Sequence, residues 1–159
     1  MILLRPMRDD EYLAYLDYFI PDYTAEITAN YALSPSDALA QAQREIAADL
    51  PDGVNTRGQI LLCLFTDIED VETQIGYLWY KPDDAMRSAF IYDFYIFPAL
   101  QGQGLGKQAM VAFEKELKSK GISQIKLRVA GDNHRARHVY EATGFRVTGI
   151  NMSKNIPVD

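Results

Sequence analysis

The stretch IFPALQGQGLGKQAM, residues 96–110, joins an apolar segment to a glycine-rich turn and then to the start of a helical pattern. Single residues separate its glycines, Gly102, Gly104 and Gly106. Where a strand runs into a glycine loop that opens a helix, backbone N–H groups and the helix dipole converge and can bind a phosphate. A tight turn that needs positive φ and binds nothing explains the glycines equally well. The residues of the loop leave both interpretations open.

The glycine spacing argues against two common nucleotide sites. A dinucleotide-binding G-x-G-x-x-G that begins at Gly102 requires glycine at position 107, where the chain has Lys107. A P-loop that ends in Gly106 and Lys107 requires glycine at 101 and Ser or Thr at 108, but the chain has Gln101 and Gln108. The sequence therefore disfavours an NAD or FAD site and a nucleoside triphosphatase.

The segments before the loop predict a strand, two helices and three further strands. ILLRPM is short and apolar, and the next 25 residues have helical spacing, with Pro21 expected to kink or split the helix. A second helix begins after Ser34 as N-cap. The runs ILLCLFTD, TQIGYLWYKP and AFIYDFYIFP are rich in β-branched and aromatic residues, which predicts an antiparallel meander.

The segments after the loop complete a mixed α/β sheet. A helix is predicted over 105–120, then a strand at ISQIKLRV, a helix at NHRARHVYEAT and a final pair of strands through FRVTGINMSK. This order predicts one sheet with helices on both faces. At 159 residues and 48% hydrophobic composition, we expect residues 1–159 to form a single domain.

Composition and charge narrow the function classes. The longest apolar run, ILLCLF, is far shorter than the roughly 20 residues of a membrane-spanning helix, and no signal-peptide core is visible, so we expect a soluble cytoplasmic protein without a membrane partner. A net charge of -6 disfavours nucleic-acid binding and suits a cationic or amine partner slightly better. The single cysteine, Cys63, lies in an apolar run and is expected to pack as a small hydrophobic residue.

Two motifs resemble those of the GNAT superfamily of acyl-CoA-dependent N-acyltransferases. The first is Q-x-x-G-x-G at Gln101, Gly104 and Gly106, directly after an apolar strand. The second, N-x-x-A-x-x-x-Y-x-x-x-G-F, follows after one helix and one strand, at Asn133, Ala136, Tyr140, Gly144 and Phe145. The resemblance covers roughly the C-terminal half, and it implies a mostly antiparallel central sheet whose two central strands are parallel and splayed.

The resemblance also implies acetyl-CoA as cosubstrate. Its pyrophosphate would lie on the loop and helix start, at Gln101, Gly102, Gln103, Gly104, Leu105, Gly106 and Lys107. Its pantetheine arm would pair with the main chain of Phe94, Tyr95 and Ile96, and Asn133 would contact the arm. A helix N-cap is the alternative role for Asn133.

The implied reaction is acetylation of a primary amine by direct attack on the thioester. Tyr140 carries over as the general acid that protonates the CoA thiolate, whereas without the resemblance it would be interpreted as a buried aromatic residue. Relatives place a glutamate on one of the central strands, but the matching positions hold Phe90 and Arg128. Asp93 is the nearest carboxylate and the candidate base, with an ion pair to an arginine as its alternative.

The sequence does not identify the amine acceptor or the residues that bind it. Asp22, Tyr23 and Glu26 are candidates for amine recognition, although a solvated helix face explains each of them as well. His134 and His138 are expected to be exposed, and no metal site is predicted. A non-catalytic acyl-CoA-binding module is the alternative function, and a homodimer stays open as the assembly.

Overall fold

The computed structural model describes residues 1–158, in two compact units. The first unit is Met1–Arg128 and the second begins at Val129. The prediction that the whole chain is one domain stays a prediction.

The first unit is built on a five-stranded sheet with the order β1-β2-β3-β4-β5. The strands are β1 (Leu3–Pro6), β2 (Ile60–Ile68), β3 (Val71–Asp83), β4 (Ser88–Ile96) and β5 (Gln124–Leu127). The pairs β1–β2, β2–β3 and β3–β4 are antiparallel, as the three aromatic and β-branched runs predicted for β2 to β4. Only β4 and β5 run parallel.

Three helices accompany the sheet: α1 (Asp9–Tyr31), α2 (Pro35–Asp49) and α3 (Leu105–Ser119). Glu11 fixes the start of α1, since its carboxylate accepts from the Arg8 N–H at 2.9 Å and from the Arg5 guanidinium at 3.0 and 2.7 Å. Ser34 caps α2 by accepting from the Asp37 N–H, as predicted. Of the two expectations for Pro21, the split is wrong, because α1 runs through Pro21 for 23 residues and the packing of its apolar side chains holds both halves. A kink at Pro21 stays a prediction.

The helices lie on both faces of the sheet. Tyr15 and Phe19 of α1 and Ile46 and Leu50 of α2 pack with inward side chains of β2 and β3, which are Leu61, Cys63, Tyr77 and Trp79. Tyr80 follows Trp79 and therefore points to the opposite face, where its ring meets Phe113 of α3 at 4.8 Å. The predicted arrangement of helices around the sheet is thus confirmed.

Cys63 lies at the centre of this core. Its side chain is completely buried, and burial raises the pKa of its thiol to about 11, so it packs as the neutral small residue that the sequence predicted. Within residues 1–158, no helix is both long and apolar enough to cross a membrane.

Two expectations about the end of the sheet are wrong. Residues 145–158 contain no strand, so the terminal strand pair expected in FRVTGINMSK is absent from the described chain. As a result β5 is an edge strand of the sheet, and the parallel pair is not central. The segment has strand-forming residues, but residues 146–158 are exposed and have no partner strand in the described chain.

Candidate active site

The parallel pairing of β4 with β5 stops halfway along β4. Residues from Ser88 to Ile91 pair with residues from Gln124 to Leu127, whereas residues 92–96 of β4 have no partner strand on that side in the described chain. The opposite edge of residues 93–96 stays paired with β3. β4 therefore offers five residues of open strand edge.

The peptide groups of the open residues point in alternating directions. The Phe97 N–H donates to the Ile75 carbonyl of β3 at 2.8 Å, and a Cβ at Gly76 of β3 would collide with the Tyr95 carbonyl oxygen. Tyr95 and Phe97 thus direct their backbone groups toward β3. Because successive residues of a strand alternate, Phe94 and Ile96 direct theirs toward the open side.

The loop that follows β4 is anchored to the strand by its first residue. The Gln101 side-chain amide donates to the Ile96 carbonyl at 2.8 Å, which ties residues 101–107, here called the glycine loop, to the end of β4. Gly102 and Gly104 have φ of +79° and +82°, the left-handed region that favours glycine. The glycine loop thereby turns sharply from β4 into α3.

The start of α3 rests on the open end of β4. A Cβ built at Gly106 would lie 3.7 Å from Ile96 Cγ1 and 3.9 Å from Phe94 Cε1, which is van der Waals distance. Gly104 occupies the N-cap position, and no side chain caps the helix there. The first N–H groups of α3 are thus available beside the open strand edge.

Asp93 lies on the open stretch, next to an irregularity in β4. Trp79 of β3 is opposite Asp93, and the next residue, Tyr80, is opposite Ile91, so Tyr92 is one residue in excess. Such a bulge turns the neighbouring side chains. The Asp93 carboxylate points at α1, where the Tyr15 hydroxyl donates to Oδ2 at 2.9 Å and the Tyr18 hydroxyl to Oδ1 at 3.1 Å. We call these three residues the tyrosine–aspartate cluster.

Aromatic packing fixes both tyrosine rings of the cluster. The Tyr15 ring is completely buried and meets the Tyr77 ring edge-on at 4.9 Å. The Tyr18 ring is half-buried and stacks on Tyr95 at 3.7 Å between ring centroids. Each such pair contributes about 0.5–1.5 kcal/mol beyond its buried area. The hydroxyls are therefore held in place independently of their hydrogen bonds.

The environment of Asp93 shifts its protonation toward neutrality. The pKa of Asp93 is raised to about 7: burial is the largest cause, the two tyrosine hydrogen bonds oppose it, and the negative charges of Asp22 and Glu26 add to it. Burial, and then the charge of Asp93, raises the pKa of the Tyr18 hydroxyl far above its ordinary value. Burial likewise raises the pKa of Tyr15. Both tyrosines thus stay hydrogen-bond donors.

The two strand positions that lack the expected glutamate serve other contacts. Phe90 is opposite Lys126 in the parallel register, and its ring meets the Tyr92 ring at 5.0 Å. Arg128, directly after β5, donates to the Tyr31 hydroxyl at 2.8 Å. Asp93 therefore has tyrosines as its partners, and the expected alternative of an arginine ion pair is wrong within the described residues.

The second unit contains the helix α4 (His134–Ala142), which holds Ala136 and Tyr140 of the second motif, while Asn133 precedes it. Asn133 Oδ1 accepts from the Ala136 N–H at 3.1 Å, so Asn133 is an N-cap. The Tyr140 ring is half-buried and meets Phe145 edge-on at 5.5 Å. His134 and His138 are exposed, as predicted. Within the described residues, no three His, Cys, Asp or Glu side chains form a group that could hold a metal ion.

Comparison with known proteins decides the family. The family model described as "Acetyltransferase (GNAT) family" matches residues 13–145. The chain belongs to this family. The uncharacterized N-acetyltransferase YycN of Bacillus subtilis is 34% identical over 157 residues, which are 98% of this chain and 99% of YycN. The enzyme class is therefore acetyl-CoA-dependent N-acetyltransferase, as the two motifs predicted.

Solved GNAT structures share the fold. The crystal structure of YycN superposes with a TM-score of 0.89 at 33% identity and covers 99% of this chain and 100% of that one. PaiA N-acetyltransferase from Thermoplasma acidophilum, solved in complex with coenzyme A, has a TM-score of 0.64 at 20% identity and covers 95% and 93%. The second likeness shows the common fold alone.

Sequence reasoning missed the two tyrosines of the cluster. Tyr15 and Tyr18 lie 78 and 75 positions before Asp93, and the i, i+3 spacing that puts them on one helix face is also the spacing of an ordinary core. The run YLAYLDYF offered one signal, since three of its aromatic residues have hydroxyls that a buried site must satisfy.

Proposed function

We propose that this GNAT enzyme transfers an acetyl group from acetyl-CoA to a primary amine, with Asp93 as the general base and Tyr140 as the general acid. The tyrosine–aspartate cluster carries the proposal, because it supplies a carboxylate whose pKa is near neutrality on the open stretch of β4. A base is most effective when its pKa is near the operating pH.

The glycine loop and the open edge fit the two ends of acetyl-CoA. The unpaired N–H groups at the start of α3 suit the pyrophosphate, since that helix end is uncapped and its dipole favours an anion. The open edge of β4 suits the extended pantetheine arm, which would add to the sheet like a strand.

The strand geometry narrows the residues that would hold the arm. Phe94 and Ile96 direct backbone groups to the open side, whereas those of Tyr95 face β3. The Ile96 carbonyl is already bonded to Gln101. The Phe94 peptide groups and the Ile96 N–H are therefore the proposed partners, and Asn133 is proposed to contact the arm in addition to capping α4.

Asp93 removes the first proton in the proposed reaction. An amine with a pKa of about 10 arrives as an ammonium ion, and Asp93 takes one proton from its nitrogen. The freed lone pair attacks the thioester carbonyl carbon, a C–N bond forms and the C–S bond breaks. The nitrogen loses a second proton to solvent, Tyr140 donates its hydroxyl proton to the departing thiolate, and solvent reprotonates Tyr140. Asp93 then releases the proton that it took to solvent, which restores the enzyme. One proton is released per turnover.

Two measurements test the proposal. First, acetyl-CoA at about 100 times its Kd should add about 2.7 kcal/mol of stability, which for a chain of this size raises Tm by about 5–10 °C. ATP at the same concentration should leave Tm unchanged, because the chain has Gln101 in place of the first glycine of a P-loop and Gln108 in place of its Ser or Thr.

Second, a panel of primary amines, from amino sugars to diamines and peptides, should release free CoA thiol from acetyl-CoA with at least one acceptor. Stabilisation by acetyl-CoA without thiol release across the panel would instead support a non-catalytic acyl-CoA-binding module. No Tm shift with acetyl-CoA would contradict the proposed function.

A further inference from the structure

We infer that Tyr15 and Tyr18 are positioning residues that aim Asp93 as the proton acceptor of the transfer and set its strength as a base. The inference deepens the proposed function and rests on it. The two hydroxyls bind different oxygens of one carboxylate, at 2.9 Å to Oδ2 and 3.1 Å to Oδ1. Such a two-point clamp fixes the plane of the carboxylate, which a single hydrogen bond would leave free to rotate.

Tyr15 and Tyr18 do more than pack in the core, because each of their hydroxyls satisfies one oxygen of the Asp93 carboxylate. A carboxylate next to α1 in an aromatic core costs free energy unless it is hydrogen-bonded. An apolar side chain at position 93 would fill the same space without this cost. The fold therefore keeps a carboxylate, and two tyrosines to hold it, at one position of the open stretch of β4.

The surroundings of Asp93 contain acids and tyrosines from three elements. Helix α1 contributes Tyr15, Tyr18, Asp22 and Glu26, β4 contributes Tyr95, and β3 contributes Tyr77, whose ring contacts both tyrosines of the cluster. Hydrogen bonds from the tyrosines favour the charged form of Asp93, whereas burial and the neighbouring acids favour the neutral form. The tyrosines thus keep the carboxylate ionised at a pH where burial would protonate it.

This balance can be tested with variants that should shift the Asp93 titration midpoint in opposite directions. Tyr18→Phe keeps the ring and its stacking but removes one donor, so the Asp93 titration midpoint should rise by on the order of one pH unit. Tyr15→Phe should move the midpoint in the same direction. Asp22→Asn, on the exposed side of α1, should move it down because it removes a neighbouring negative charge.

The midpoint can be read without knowing the acceptor. Carboxyl NMR titration of the unliganded protein, labelled with 13C-aspartate, gives the midpoint, and the resonance missing in Asp93→Asn identifies Asp93. Tyr77→Phe is the matched control, because its ring packs on Tyr15 and Tyr18 but its hydroxyl makes no hydrogen bond to Asp93. The control should leave the midpoint in place.

Activity supplies the second readout once an acceptor is found. The acidic limb of the kcat/KM profile should shift to higher pH in Tyr18→Phe and Tyr15→Phe, and to lower pH in Asp22→Asn. A role in packing alone predicts the same midpoint in all tyrosine variants, and that result would overturn the inference. If Tyr15→Phe fails to fold, Tyr18→Phe decides, since its ring is half-buried. If the Asp93 midpoint shifts but no amine of the panel releases CoA thiol, the two tyrosines still control the titration of Asp93, whereas its proposed role as general base is refuted.

Discussion

The glycine loop and the tyrosine–aspartate cluster both adjoin the same half of β4, but the first consists of backbone groups and the second of side chains. The glycine loop offers backbone N–H groups, and one segment of seven consecutive residues forms it. The cluster offers side chains, and α1 and β4 bring them together across 75 and 78 positions. A backbone site survives changes of side chain, whereas a side-chain cluster is lost with a single functional group. We therefore expect substitutions at the two regions to fail in different ways.

The largest expected effect is at the cluster. Asp93→Asn keeps the shape but removes the proton acceptor, so kcat/KM should fall by about 10²–10⁴-fold, while the Kd of acetyl-CoA should stay unchanged. Initial rates and a direct binding titration measure the two quantities. Asp17→Asn is the control, an exposed carboxylate on the same helix α1. A variant that loses acetyl-CoA binding along with activity would contradict the separation of the two regions.

The next effect concerns the proposed general acid, which belongs to neither region. Tyr140→Phe should lower kcat by about 10²-fold, because water protonates the departing thiolate less well than a positioned hydroxyl. Acetyl-CoA affinity should not change. His138→Gln tests for general damage to α4, since His138 is exposed on that helix. Full turnover by Tyr140→Phe would remove Tyr140 from the mechanism.

A smaller effect is expected in the glycine loop. Gly102→Ala places a side chain at φ +79°, which costs about 1–2 kcal/mol and should weaken acetyl-CoA binding by about tenfold. Gly121→Ala is a matched control: it has φ +78°, open space around it and a place at the far end of α3. If both variants lose the same stability but only Gly102→Ala binds acetyl-CoA more weakly, the result supports a backbone binding site in the glycine loop. Equal loss of binding in both variants would refute it.

The smallest effect lies at the start of α1, where Glu11 is hydrogen-bonded to Arg5 and Arg8. The Arg5 hydrogen bonds lower the pKa of Glu11 to about 2, so Glu11 stabilises the fold above its ordinary pKa, and this stability is lost as pH falls from about 4.5 toward 2. Glu11→Gln should cost about 1–2 kcal/mol at pH 7 and progressively less below pH 4. Urea unfolding at pH 7 and pH 3 measures this difference. The midpoint of Asp93 should not move.

The sequence was informative where a feature is local. The helix start after Ser34, the strands β2 to β4 and the glycine loop each follow from neighbouring residues, whose spacing and turn chemistry decide the backbone. The candidate site was predictable to the same extent: the sequence offered the loop motif and Asp93 as candidates, but not the hydrogen-bond partners of Asp93. Tyr15 and Tyr18 look like core residues until the fold places them opposite a carboxylate.

The wrong predictions share a physical cause, which is packing between residues far apart in the sequence. Pro21 lacks the N–H that a helix interior uses, so local rules predict a break, but the buried face of α1 holds the helix across it. FRVTGINMSK has strand-forming residues, yet a strand needs a partner and a buried face, which no local pattern supplies. Phe90 and Arg128 showed only that the usual glutamate was missing. The sequence offered Asp93 as a candidate replacement, but its contacts with Tyr15 and Tyr18 depend on the long-range packing of α1 against β4.

The open half of β4 has a consequence for handling the protein. An unpaired strand edge is a template for another chain, and natural proteins cover or charge such edges to avoid aggregation. Here residues 92–96 are mostly aromatic and apolar, with Asp93 as their one charge, and that charge is turned toward α1. In the proposed function acetyl-CoA completes this edge, so the donor would also act as a shield. Protein concentrated without it should self-associate through β4, and light scattering with and without acetyl-CoA would show the difference.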